Sequence, residues 1–102
     1  MKNILVIGAG LSASSMIRYF TQNAKKENWN IKVGDQDGNL AKSKVGNCDQ
    51  AEGFTLNALD ETERQPLIQW ADIVISMLPA RFHLDVAKDC ITFKTNLITP
   101  SY

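Results

Sequence analysis

The sequence Ile4-Leu5-Val6-Ile7-Gly8-Ala9-Gly10-Leu11-Ser12-Ala13, near the start of a chain of 102 residues, decides the fold class. Its consecutive aliphatic residues are typical of a parallel strand that is buried on both faces. Gly8 and Gly10 follow at once, and Ala13 occupies the last position of the pattern G-x-G-x-x-G/A, which joins a strand to a phosphate-binding helix. The sequence therefore predicts a nucleotide or dinucleotide at the start of the first helix.

Each position of this glycine turn has its own physical role. Gly8 permits the tight turn, Gly10 lets the backbone approach a pyrophosphate, and Ala13 allows the helix to pack on the strand. The amides of Leu11 and Ser12 are expected to face the anion at the positive end of the helix. Among the serines of this helix, Ser12 is the best placed to donate its hydroxyl to a phosphate.

The composition excludes several classes of partner. The 11 Lys and Arg residues balance 11 Asp and Glu residues, so nothing indicates a nucleic acid or an acidic membrane. No apolar stretch approaches the roughly 18 residues that indicate a membrane-spanning helix, and no signal-peptide pattern precedes the first strand. Cys48 and Cys90 lack a metal-ligand spacing and are interpreted as free thiols, Cys90 in the core. We expect one cytoplasmic domain over residues 1–102, without a metal site.

Strand and helix patterns alternate along the chain. The predicted strands cover residues 4–7, 31–33, 54–57, 72–78 and 95–99. The predicted apolar helix faces are Ala13, Met16, Ile17 and Phe20, then Leu67, Ile68 and Ala71, then Val86, Ala87, Cys90, Ile91 and Phe93. A short helix is predicted over 40–45, and a polar connecting segment over 23–30 leads to the second strand. This alternation requires parallel strands and right-handed crossovers. We expect an α/β Rossmann-type sheet of order 3-2-1-4-5 with helices on both faces, truncated before a substrate domain.

Asp35 and Gln36 follow the second strand, where an acidic residue binds the ribose hydroxyls of the adenosine half. A carboxylate accepts hydrogen bonds from both hydroxyls and repels a 2′-phosphate, and Gln36 supplies no cation to bind that phosphate. NAD or NADP is therefore the expected cofactor, with NAD favoured, unless Lys42 or Lys44 reaches the site. The alternative is that Asp35 serves only the turn that contains Gly34.

Two further strand ends carry candidate cofactor-binding residues. Asp60 follows the third strand and either contacts the adenine or caps the next helix, and we prefer the cap. The candidates at the end of the fourth strand, beside the switch point of the sheet, are Ser76, Met77, Leu78 and Pro79. Ordinary strand-end packing is the alternative for Met77 and Leu78.

The remaining polar candidates have weaker chemical roles. His83 has no convincing partner for general-base work, so a structural or peripheral role at the start of a helix is preferred. Arg81 could bind a carboxylate or a phosphate, although a solvated arginine is the default. Ser101 and Tyr102 follow the fifth strand, where a substrate would approach the nicotinamide.

Four segments together carry a family resemblance. They are Gly8-Ala9-Gly10-Leu11-Ser12-Ala13, Ala71-Asp72-Ile73-Val74-Ile75-Ser76-Met77-Leu78-Pro79, Phe82-His83, and Lys94-Thr95-Asn96 leading to Thr99-Pro100-Ser101-Tyr102. Over nearly its whole length the chain resembles the NAD(P)-binding domain of saccharopine dehydrogenases, in the glutamate-forming branch and its bacterial relatives. The strand end Ser-x-x-Pro with the later Phe-His and Ser-Tyr is more specific than the glycine turn.

The resemblance implies an oxidoreductase that acts on a secondary-amine C–N bond in lysine metabolism. Saccharopine would be oxidised to glutamate and aminoadipate semialdehyde, or the reverse reaction would run. It also implies that a further domain holds the amino-acid substrate, that Tyr102 is the catalytic-site candidate, and that this chain alone is inactive. The full-length enzyme is expected to be a homodimer. Ala80 and Gln36 depart from the family, which often has an aromatic residue and an arginine there.

Three other interpretations stay open from the sequence. A regulatory module that senses NAD or NADH without turnover would share the glycine turn and the acid of the second strand. A carboxyspermidine dehydrogenase-like enzyme would share the architecture and the reaction class. A Rossmann scaffold without a ligand is the third, because fold alone does not define function. The closing Ser101-Tyr102 favours an enzyme.

Overall fold

In the computed structural model, which describes residues 2–78 and 82–98, strands and helices alternate along the chain. The strands are β1 (Lys2–Ile7), β2 (Trp29–Asp35), β3 (Ala51–Thr55), β4 (Ile73–Ser76) and β5 (Asn96–Ile98). The helices are α1 (Leu11–Glu27), α2 (Gly38–Val45), α3 (Glu61–Trp70) and α4 (His83–Thr92). All strand pairs are parallel in the order β3-β2-β1-β4-β5, which confirms the Rossmann-type sheet.

Alternate side chains of β1 divide the core between the two faces of the sheet. Ile4 and Val6 belong to a buried cluster that includes residues of α1 and α2. Leu5 and Ile7 belong to a second buried cluster, with residues of α3 and α4. A strand covered in this way must be apolar at every position, which explains the aliphatic run and confirms helices on both faces.

Helix α1 has the predicted apolar stripe but ends later than expected. Ala13 and Ile17 are buried, and Met16 and Phe20 pack against the same cluster. The predicted polar connecting segment over 23–30 is wrong for residues 23–27, because Ala24 is fully buried and extends the apolar stripe of the helix by another turn. The helix ends only at Glu27, and β2 then begins at Trp29 rather than at residue 31.

Strand β3 lies earlier in the chain than the predicted 54–57. It contains Gly53, which carries no side chain and therefore no apolar signal. A Cβ at Gly53 would lie 2.5 Å from the carbonyl carbon of Ala41, so glycine permits the close approach of α2. Leu56 lies beyond the strand but is buried, which explains why the pattern misplaced it.

In the last third of the chain the predicted elements are present, but the strands are shorter than predicted and one side chain that was predicted to be buried faces solvent. Strand β4 covers Ile73–Ser76 instead of 72–78, and β5 covers Asn96–Ile98 within the predicted 95–99. Cys90 is buried in the core, as predicted. The prediction that Ile91 is buried is wrong, because Val86 and Cys90 define the inner side of α4 and the neighbouring position turns outward, leaving Ile91 79% exposed.

Candidate functional site

A cleft of about 390 Å³ opens at the carboxyl ends of β1, β2 and β4. Its lining residues are Ile7, Gly8, Gly10, Gly34, Asp35, Gln36, Asn57, Ala58, Leu59, Met77, Leu78 and Phe82. β2 and β3 lie on one side of β1 in the sheet, and β4 and β5 lie on the other side, so the strand order reverses direction at β1. The cleft therefore lies at the switch point of the sheet. Open α/β sheets bind their ligands at such points.

The two glycines of the turn have different structural roles. Gly8 has a φ of +102°, which side chains rarely adopt, and a Cβ there would lie 3.2 Å from the Cβ of Met77. The Gly8 amide also donates to the carbonyl of Gly34 at 2.7 Å. The positive φ and the close Met77 side chain are what make glycine a requirement of the fold at this position. Gly10 has an ordinary φ of −66°, and a Cβ there would meet no described atom within 4 Å. Gly10 therefore leaves open space beside the backbone, as a bound pyrophosphate requires.

Helix α1 begins at this open position, and the amides of its first turn have no carbonyl one turn earlier in the helix to bind. Gly10 is the N-cap and supplies no side-chain hydrogen bond, and the first turn contains no acidic residue. Ala13 is buried against the sheet, which is where the third position of the glycine pattern is expected to pack. The start of the helix therefore presents the donors and the positive dipole end that favour an anion. The predicted role of the Ser12 hydroxyl lies outside the described part of the chain, as does the side chain of Leu11.

Asp35 connects the end of β2 to the glycine turn. One carboxylate oxygen, Oδ2, accepts the Ala9 amide at 2.7 Å, and Oδ1 accepts the Asp37 amide at 2.8 Å. Two carboxylate oxygens offer about four acceptor positions, so two positions stay available to ligand hydroxyls. The turn interpretation and the ribose interpretation are therefore compatible. Gln36 is exposed and lines the cleft beside Asp35.

The loop of residues 56–60, between β3 and α3, forms a wall of the cleft that the sequence reasoning missed. Asn57, Ala58 and Leu59 line the cleft, whereas Asp60 does not. Asp60 caps α3 by accepting hydrogen bonds from the amide of Thr62 at 2.9 Å and from its hydroxyl at 2.7 Å. These bonds lower the pKa of Asp60, and the cap is the role that the sequence favoured. The only available signal for the wall was a polar Asn57 close to a strand end.

The end of β4 brings two predicted residues into the cleft and leaves one outside it. Met77 and Leu78 line the cleft, and the Met77 amide donates to the carbonyl of Ile7 at 2.8 Å. Ser76 is fully buried behind them, with a hydroxyl oxygen that has no hydrogen-bond partner in the described part of the chain. Phe82, just before α4, lines the cleft and was not predicted.

Several predicted positions lie outside the described residues. They are Pro79, Ala80, Arg81, Ser101, Tyr102 and the side chain of His83. Within residues 2–78 and 82–98, no group of His, Cys, Asp and Glu side chains is arranged to hold a metal ion. None of the helices described there combines the length and the apolar character that crossing a membrane demands.

The parallel sheet, the glycine turn and the acidic end of β2 define a dinucleotide-binding domain of the Rossmann class. Comparison with known proteins gives the particular family. The model of the saccharopine dehydrogenase NADP binding domain matches residues 4–102, and the chain belongs to that family. This confirms the resemblance that the sequence motifs indicated.

Individual relatives agree with this assignment. The chain is 31% identical over 101 residues to the mitochondrial alpha-aminoadipic semialdehyde synthase of Rattus norvegicus, covering 99% of this chain and 11% of that protein. It is 28% identical to the saccharopine dehydrogenase (NADP+, L-glutamate-forming) of Saccharomyces cerevisiae, covering 99% and 22% respectively. The chain therefore spans only about a tenth to a fifth of these relatives.

Solved structures resemble the chain as well. Apo saccharopine dehydrogenase (L-Glu forming) from Saccharomyces cerevisiae superimposes with a TM-score of 0.87 at 27% identity, over 100% of this chain and 22% of that one. A Rossmann-fold NAD(P)-binding family protein from Shigella flexneri gives a TM-score of 0.74 at 20% identity, over 95% of this chain and 50% of that one. The second likeness concerns the fold alone.

Proposed function

We propose that this chain is the cofactor-binding part of an oxidoreductase that acts on the C–N bond of a secondary-amine amino acid, of the saccharopine type, in lysine metabolism. Membership of the family supports the reaction class. The observation that carries the proposal is the open Gly10 position, at the start of α1 and at the switch point of the sheet. Once bound there, the dinucleotide supplies or accepts the hydride.

This chain's own residues would hold and orient the cofactor. The first amides of α1 would bind the pyrophosphate, and the free acceptor positions of Asp35 would bind the adenosine ribose. Met77 and Leu78 would contact the nicotinamide side, because they line the cleft at the end of β4. A further domain would bring the amino-acid substrate to this side, and the chain alone is expected to bind cofactor without turnover. Tyr102 as the catalytic-site residue stays a prediction.

We infer a preference for NAD over NADP from the end of β2. A 2′-phosphate about 4 Å from the Asp35 carboxylate would be repelled by up to roughly 4 kcal/mol at an effective dielectric near 20. Gln36 is neutral, and the described lining of the cleft contains no Lys or Arg. The Lys44 ammonium instead donates to the hydroxyl of Ser14 at 2.6 Å. The yeast relative has NADP+ in its name, so this chain would differ from that protein in its cofactor.

Calorimetric titration with NAD, NADH, NADP and NADPH tests the proposal on the unaltered protein and on Gly10→Val. The unaltered protein should bind the NAD forms more tightly than the NADP forms. Gly10→Val should abolish binding yet stay folded, because the added side chain points into open space and the φ of −66° suits any residue. Ser15→Val places the same side chain on the exposed side of α1 and should bind normally. Normal binding by Gly10→Val would exclude the glycine turn as the site.

Two expectations from the sequence concern the location and the assembly of the full-length enzyme. Cytoplasmic localisation and a homodimer of the full-length enzyme stay predictions.

A further inference from the structure

A buried ion pair joins the two helices on one face of the sheet. Arg64 of α3 is 5% exposed and Asp89 of α4 is 6% exposed. The Arg64 Nε donates to Asp89 Oδ2 in a short, charge-assisted hydrogen bond, and Gln65 Nε2 donates to Asp89 Oδ1 at 3.1 Å. Charged side chains are almost never buried unless they are paired. The sequence patterns gave no indication of this pair.

The other side of the Arg64 guanidinium holds the wall of the cleft. Its Nη1 donates to the carbonyl of Ala58 at 2.9 Å. One residue earlier, Glu63 Oε1 accepts the Asn57 amide at 3.2 Å. Two successive side chains of α3 therefore bind the backbone of the loop 56–60, in which residues 57–59 line the cleft.

The partner helix also reaches the cleft. Asp89 lies six positions after the start of α4 at His83, a rise of roughly 9 Å along the helix. Phe82, the N-cap residue of α4, lines the cleft, as the loop does. The chain of contacts therefore runs from the loop, through Ala58, Arg64 and Asp89, to the helix whose N-cap residue also lines the cleft.

Stability alone is a poor explanation for such a pair. Replacing a buried ion pair with apolar residues of similar volume is often neutral or stabilising, because charges lose their hydration when they are buried. A planar guanidinium, however, can bind a carboxylate and a carbonyl at the same time in fixed directions. Two hydrogen bonds in fixed directions from one guanidinium are suited to holding a loop in a single position.

We propose that Arg64 is a positioning residue that fixes residues 57–59 against Asp89 and thereby sets the affinity for the adenosine half of the cofactor. The proposal rests on the proposed function. The loop follows β3, which pairs with β2, so it lies beside the Asp35 end of the cleft. The nicotinamide half would contact the end of β4 instead. Loss of the Arg64 contact should therefore weaken ligands that contain adenosine and leave nicotinamide mononucleotide unaffected.

Two variants separate positioning from folding. Arg64→Lys keeps a positive charge for Asp89, but one ammonium does not reproduce the fork to Asp89 and Ala58. The double variant Arg64→Met with Asp89→Met removes both charges and leaves neither unpaired. Ile68→Val is the control for core packing, because Ile68 is fully buried one turn further along the same helix, in the cluster that contains Leu56 and against which Ala58 packs, and the change leaves the hydrogen bonds of Arg64 in place.

The measurements are titrations with NAD, ADP-ribose and nicotinamide mononucleotide, together with amide hydrogen exchange over residues 56–60. Both Arg64 variants should bind NAD and ADP-ribose roughly tenfold more weakly, because part of the binding free energy must then be used to order the loop. Their loop amides should exchange faster, whereas Ile68→Val should bind normally and keep protected loop amides.

Each other outcome has a definite meaning. Normal ADP-ribose binding and normal loop exchange in Arg64→Lys would overturn the positioning role. An equal loss of binding in Ile68→Val would assign the effect to general stability and also overturn it. If the unaltered protein binds none of the ligands, the proposed function fails, and the exchange of the loop amides still decides whether Arg64 holds the loop.

Discussion

Asp35 shows how one side chain serves the turn and the ligand together. Its two oxygens accept the backbone amides of Ala9 and Asp37, and Ala9 is fully buried. The sequence presented the turn and the ribose as alternatives. Because each carboxylate oxygen accepts more than one hydrogen bond, the observed geometry keeps both roles available.

We therefore expect Asp35→Ala to have two effects. Leaving the Ala9 amide without its acceptor should lower the free energy of unfolding by about 1–3 kcal/mol. The same change removes the acceptor of the ribose hydroxyls, so NAD should bind more weakly. It also removes the repulsion of a 2′-phosphate, so the difference in affinity between NAD and NADP should narrow. Urea denaturation and calorimetry measure these effects separately. Asp37→Ala, which removes only the cap that accepts the Leu40 amide, is the control for loss of a neighbouring carboxylate. Unchanged affinity for both cofactors in Asp35→Ala would contradict the ribose role.

Some site residues could be predicted from the sequence, and others could not, for a physical reason. Gly8, Gly10 and Asp35 occur in local patterns, because a tight turn and a strand end impose their residue types within a few positions. Asn57 and Leu59 line the cleft from the loop after β3, and Phe82 lines it from the start of α4, so their roles depend on tertiary packing that no local pattern marks. Arg64 was invisible for the same reason, since its partner Asp89 lies 25 positions away.

At the scale of the elements, the contact between α2 and β3 depends on backbone proximity. Residues of α2 contribute to the cluster on one face of the sheet, and Gly53 of β3 lies directly beneath that helix. A prediction of β3 from apolar alternation fails at such a position, because the packing partner is a backbone and no side chain marks the strand. Helix α1, whose stripe repeats regularly, was predicted well except at its end.

Gly53→Ala should move α2 away from the sheet. The new Cβ would lie 2.5 Å from the Ala41 carbonyl carbon, a distance that a backbone atom can relieve only by shifting. We expect a loss of about 1–3 kcal/mol in the free energy of unfolding, as in other overpacked cores. Thermal or urea denaturation measures it, and Gly10→Ala is the matched glycine substitution in open space. A Gly53→Ala protein as stable as Gly10→Ala would show that the helix adapts without cost.

At the scale of the whole molecule, Cys90 links stability to pH. Burial, and then the charge of Asp89, raise the pKa of the Cys90 thiol from 9.0 to about 11. The folded protein therefore keeps this proton more strongly than the unfolded chain, so the contribution is complete below pH 9 and is lost as the pH rises from 9 to 11.

The expected result is a fall in the free energy of unfolding between pH 9 and pH 11 that is smaller in Cys90→Ala. Every other side chain is the same in both proteins, so only the difference between the two slopes reports on Cys90. Cys48→Ala, at the half-buried cysteine, is the control for replacing a cysteine elsewhere in the chain. Urea denaturation at a series of pH values measures all three, and equal slopes in all of them would contradict the assignment.

The central position of β1 also governs the order in which the molecule can be completed. One edge of β1 pairs with β2, which follows after a single helix, but the other edge pairs with β4, beginning at Ile4 with Ile73. Synthesis at about 5–20 residues per second therefore leaves this second edge of β1, which is apolar over Ile4–Ile7, unpaired for several seconds. An open strand edge of that kind is a template for pairing with other chains. The arrangement that places the cleft at the middle of the sheet thus makes the nascent protein depend, for a time, on protection by its surroundings.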